Sequence, residues 1–104
     1  LVELSAEDQL QFLQESNAVS RLLQTQFAAE KLNVAALGNV VAQLHIHHVA
    51  RFVGDAVWPR PVWGAAPAVG YQEDRLAEVV ELINQSLAMD SGLVVDWGDT
   101  RDRI

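Results

Sequence analysis

Apolar and polar positions alternate with two different periods along this chain, and the change of period marks out its elements. From Ser5 onward apolar side chains recur at helical spacing, with Phe12, Val19, Leu22, Leu23 and Phe27 on one broad side and Leu10 and Leu13 widening the stripe near its start. The pattern predicts a core-packing helix from Ser5 to about Ala28. Ser5-Ala6-Glu7-Asp8 supplies its start, a hydroxyl cap with an acidic residue three places on. The Gln-rich remainder of this helix, Gln9, Gln11, Gln14, Gln24 and Gln26, reads as a solvated face.

From Lys31-Leu32-Asn33-Val34 the period shortens to that of a strand, and a turn at Gly38-Asn39 leads into a second strand that ends in Gln43-Leu44-His45-Ile46-His47-His48-Val49. In extended chain, Gln43, His45 and His47 share one face while Leu44, Ile46 and His48 share the other. Two of the three histidines can therefore act together. Residues 53–70 form an irregular Trp/Pro loop, with Trp58, Pro59, Pro61, Trp63 and Pro67, because each proline removes a donor and pushes its predecessor out of the helical region. The two tryptophans either close over a site or cover the end of the sheet. A second helix follows over residues 71–90, opened by Glu73 and Asp74 and striped by Leu76, Val79, Val80, Ile83 and Leu87. It ends near Gly92, before a short edge segment from Leu93 and a charged tail.

The 104 residues amount to one small α+β domain, an antiparallel sheet with a long packed helix and a C-terminal helix. Two strands alone do not make a stable sheet with a covered core, so the fold read here is incomplete. The formal charge of −7 excludes a general nucleic-acid surface but leaves room for a small anionic ligand bound by local donors. With no cysteine there are no disulfides, thiolate ligands or cysteine nucleophiles. No apolar run approaches the roughly 20 residues of a membrane span, and no signal peptide is visible, so a cytoplasmic protein without membrane contact is expected.

The candidate chemistry lies on the histidine strand. Paired imidazoles preceded by an amide suit an anion, a metal, or an acyl or phosphoryl group, and a Gly-Asn turn offers backbone N–H groups to an anion. Arg51 and Arg60 are further candidate donors to a phosphate, and Arg51 shares the His45 face if the strand runs on undisturbed. A metal site of the cupin type would use His45 and His47, but the carboxylate that pattern wants a few residues later is replaced by Ala50, Arg51 and Phe52. Asp96 and Asp99 in the tail are candidate cation ligands that read more simply as solvated.

The stretch Gln43-Leu44-His45-Ile46-His47-His48-Val49, with Asn33, Gly38 and Asn39 before it, resembles the signature of the histidine triad (HIT) superfamily of nucleotide-binding proteins, which runs His, apolar, His, apolar, His, apolar, apolar. The likeness covers roughly residues 1 to 52. It implies that residues 1–104 are the C-terminal portion of a single HIT-like domain, completed by earlier strands or by a complementing N-terminal segment, and that the domain forms a two-fold homodimer. It also implies His45 as nucleophile on the α-phosphate of a purine nucleotide or related small anion, His47 as donor to the phosphate oxygens, and Asn33, Gly38 and Asn39 as contacts to phosphate or leaving group. No cofactor is called for. The activity implied is that of a phosphoramidate or dinucleoside polyphosphate hydrolase, with a non-catalytic nucleotide-binding or interaction protein as the alternative. Gln43 stands in the first histidine's place, His48 where the family has an apolar residue, and Val40 where some members have a hydroxyl. Gln43 can donate a hydrogen bond but supplies no titrating ring, so it serves binding more than turnover.

Overall fold

The computed structural model describes residues 1–37, 44–65 and 69–97. Its elements are α1 (Ala6–Gln26), β1 (Lys31–Leu37), β2 (His45–Arg51) and α2 (Glu73–Ser91), an α+β arrangement of two helices and one antiparallel strand pair. α1 starts where the sequence predicts. The Asp8 N–H donates to Ser5 Oγ at 3.1 Å, and Glu7 and Asp8 lie in the first turn against the positive end of the helix dipole. It stops two residues early, at Gln26, because Ala28 turns into the left-handed region (φ 54°) and the Ala29 N–H folds back onto the Leu23 carbonyl. α2 ends at Gly92, whose φ of 68° suits a residue without Cβ and whose N–H donates to the Ala88 carbonyl.

The two helices share an apolar core of Ala18, Leu22 and Leu87, with Val19, Phe27, Ile83, Leu93 and Val95 packed around it. Leu93 and Val95 belong to the segment expected as a sheet edge. They carry no strand and fill the helix pair instead. An exposed ion pair, Arg21 to Asp90 at 2.8 Å, and a bond from Trp97 Nε1 to Asn84 Oδ1 tie the same elements together at the surface. The apolar stripe of α1 is narrower than its sequence suggests, since Leu10 and Leu13 are 58% and 52% exposed. Leu76 on α2 is likewise exposed. No helix among the described residues is long and apolar enough to cross a membrane.

β1 and β2 pair in the register Lys31 with Arg51, Asn33 with Val49, Ala35 with His47 and Leu37 with His45. α1 packs on the other face of β2, where His48 meets Ser16. One face of the hairpin is thereby spent on the helix and the other is left for the paired histidines. Truncating Leu22, 5% exposed in the shared core, is expected to cost about 2–5 kcal/mol in urea denaturation, whereas Leu10→Ala on the same nominal stripe is expected to cost less than about 0.5 kcal/mol. Equal losses would show that the stripe is buried along its whole length.

Candidate functional site

Strand alternation puts Asn33, Ala35 and Leu37 of β1 beside Val49, His47 and His45 of β2 on the face turned away from α1, with Arg51 at the strand's end. His45 and His47 are half-buried, and among the described residues neither imidazole makes a hydrogen bond. The small side chain of Ala35 stands across from His47. On the other side Trp63 packs edge to face against His47, with ring centroids 6.0 Å apart and planes at 87°. The expectations for Gln43, Gly38, Asn39 and Val40 lie outside the described residues, as does that for Asp99. Asp96 is exposed.

The third histidine has a different task. His48 Nε2 lies 2.7 Å from Ser16 Oγ, a polar link between β2 and α1 that alternation foreshadows only as a residue on the far side. Burial, with the neighbouring His47 as a smaller cause, holds the His48 pKa below its ordinary 6.5.

Arg51 lies on the histidine face, as undisturbed extension of the strand requires, but it is not presented to a ligand. Its side chain is 2% exposed. Nε donates to Asp55 Oδ2 at 2.8 Å, Nη2 to Asp55 Oδ1 at 3.2 Å and Nη1 to Asn33 Oδ1. Trp58 lies against the same cation, with Cζ 5.5 Å from the ring centroid. The hydrogen bonds from Arg51 hold the Asp55 carboxyl far below the usual carboxylate range, and those to Asp55 raise the Arg51 pKa in turn. Asp55 was not singled out from the sequence. Its signal was a carboxylate four residues after Arg51, just past a glycine, and it becomes readable only once the strand is known to end at Arg51.

Arg51 also sets the amide of Asn33. An acceptor must face the guanidinium, so Oδ1 points to Arg51 and Nδ2 points away, with one of its hydrogens on the Leu32 carbonyl at 3.1 Å. Among the described residues the second hydrogen has no acceptor. Arg60, the other candidate cation, is exposed in the loop. No three His, Cys, Asp or Glu side chains gather to hold a metal ion among the described residues.

A family comparison agrees with this strand and its flanking helix: the HIT domain model matches residues 1–54, just over half of the 104. The chain belongs to the HIT domain family. Among solved structures, this HIT chain is similar to a histidine triad protein from Marinobacter aquaeolei VT8, at 45% identity and a TM-score of 0.79 over 85% of this chain and 64% of that one. A histidine triad protein from Bradyrhizobium japonicum shares 38% identity at a TM-score of 0.79, covering 83% and 64%. One from Sinorhizobium meliloti 1021 shares 40% at 0.77, covering 82% and 63%. The HIT chain thus spans less than two thirds of the length of these relatives. No curated protein matches it. The structural likeness covers more of the chain than the family match does, so it extends past β2 into the second half of the sequence.

His48 gives the site's framework a pH dependence whose sign is fixed. Its folded pKa is below 6.5, so as pH falls the unfolded chain takes up this proton first, and the stability carried by the neutral His48 is lost from about 6.5 downward. Urea midpoints are expected to fall between pH 7.5 and pH 5, and His48→Gln is expected to flatten that fall. A variant with the wild-type slope would place the pH dependence elsewhere.

Proposed function

We propose that this HIT chain carries the nucleotidyl-transfer face of a nucleotide hydrolase. A ring nitrogen of His45 attacks the α-phosphorus of a purine nucleotide phosphoramidate or dinucleoside polyphosphate. The new N–P bond forms as the bond from phosphorus to the leaving amine or phosphate breaks, and the leaving group takes a proton from solvent, which the attacking water returns in the second step. Water then attacks phosphorus, the N–P bond breaks, and the imidazole and the nucleoside monophosphate are released. His47 donates to the non-bridging oxygens as charge builds on them, assisted by the free hydrogen of Asn33 Nδ2 and, in the sequence, by the Gly38-Asn39 turn.

One observation carries this reading: two imidazoles without hydrogen-bond partners among the described residues share a strand face that the helix does not cover, while the third histidine is held by Ser16. A second reading, nucleotide binding without turnover, is favoured by Gln43, which leaves the first triad position without a titrating ring. A homodimer or a complementing segment is part of the proposal too, supported by the exposure of Val34 and Leu44 at the strand pair.

Mixed with an adenosine 5′-phosphoramidate or an adenylate analogue with a good leaving group, the chain is expected to gain the mass of a nucleotidyl group on His45. His45→Ala is expected to remove the adduct and lower turnover on the order of a thousandfold or more. An adduct that persists in His45→Ala sinks the mechanism, and binding without an adduct in the wild type selects the non-catalytic reading. Light scattering is expected to give twice the chain mass at micromolar concentration, and a monomer across that range removes the dimer.

A further inference from the structure

A run of turns connects the end of the histidine strand to the ring that touches His47. The first spans residues 52–55, closed by the Asp55 N–H on the Phe52 carbonyl, with Gly54 at φ 92° in its third position, where a side chain would be strained. This turn reverses the chain so that Asp55 comes back onto Arg51. The Asp55 carboxylate then serves two ends at once: both oxygens accept from the guanidinium, Oδ2 also from the Phe52 N–H and Oδ1 also from the Val57 N–H. Val57 is buried, and further turns run from Asp55 to Trp58 and from Val57 to Arg60. The last, 62–65, places Trp63 in its second position and Gly64, at φ 73°, in its third. Trp63 meets His47 there.

His47 has no hydrogen bond among the described residues, and the residue paired with it across the strands, Ala35, carries only a methyl group. The indole is the one described ring in contact with the imidazole.

We propose that Trp63 is a positioning residue for His47, and that the buried Arg51–Asp55 pair is the latch that holds the 52–65 loop so that Trp63 stays against the imidazole. Trp63 lies edge to face on His47 and limits the rotation of its ring, so that the imidazole keeps one orientation on the strand face it shares with His45. Trp58 is committed to Arg51 and takes no part in this contact. The catalytic consequence rests on the nucleotidyl-transfer reading above; the structural relation between latch, indole and imidazole does not.

The test uses the whole chain and separates these two levels. Long-range nitrogen–proton NMR of the histidine rings, with no nucleotide present, reads the His47 signals in wild type, Trp63→Ala, Trp63→Phe and Asp55→Asn. Trp63→Ala and Asp55→Asn are expected to move the His47 ring signals and leave those of His48 in place, while Trp63→Phe, which keeps an aromatic edge, is expected to return them close to wild type. If the wild type turns over a nucleoside phosphoramidate, Trp63→Ala is expected to lower kcat about tenfold with less than a twofold change in KM. Unmoved His47 signals in Trp63→Ala overturn the positioning role, whatever the activity. Unmoved signals in a folded Asp55→Asn overturn the latch. Should Asp55→Asn fail to fold, Arg51→Lys, which keeps the charge but loses the two-pronged geometry, decides the same point. A wild type without turnover, in which the His47 signals nevertheless respond as expected, counts against the enzymatic reading and supports the positioning.

Discussion

The buried guanidinium of Arg51 is the constraint on which the functional half of the molecule depends. Removing such a charge from water is costly unless a counter-charge and hydrogen bonds replace the lost hydration. Here both are supplied locally, by Asp55 four residues on, by Asn33 across the strand pair, and by the Trp58 ring over the cation. Meeting that requirement obliges the chain to reverse at Gly54 immediately after the strand. The same requirement fixes the orientation of the Asn33 amide. An ion pair that looks purely structural therefore determines both the donor offered by β1 and the path of the loop that reaches His47.

The hairpin divides its histidines between two environments. On the α1 face, His48 replaces the apolar residue that would otherwise pack there, and its hydrogen bond with Ser16 satisfies a polar group brought close to the helix. Its depressed pKa follows from that position. On the opposite face His45 and His47 keep unengaged ring nitrogens among the described residues. A one-residue slip in register would exchange these roles, so the helix–sheet packing that fixes the register also decides which imidazoles are free for chemistry.

Much of this was legible in the sequence, because local signals govern helix ends and strand faces. Ser5 and Gly92 mark termini through a hydroxyl and a missing Cβ, and period-two alternation sorts the histidines without any knowledge of the partner strand. What could not be read depends on what lies opposite. The stripe on α1 includes Leu10 and Leu13, but a stripe gives direction only, and nothing among the described residues covers those two. Leu93 and Val95 alternate as a strand would, yet they face two helices. Arg51 looked like a phosphate donor because a cation on the right face is visible in sequence, whereas its engagement by Asp55 depends on a turn that the alternation pattern does not contain.

That engagement changes how an anion could be held. With the Arg51 charge already balanced by Asp55, and with a formal charge of −7 on the chain, the site has little fixed positive potential to offer a phosphate. On the nucleotidyl-transfer reading, recognition then rests on directed donors, the His47 ring, the Asn33 amide and backbone N–H groups, rather than on a point charge. Such donors contribute most when the charge they face increases, as it does on the non-bridging oxygens during attack by His45, and they contribute only while they are held in direction. A fixed cation would bind the ground-state phosphate and its product strongly as well. Withdrawing Arg51 from the ligand and using it to hold the loop exchanges general affinity for geometry at His47.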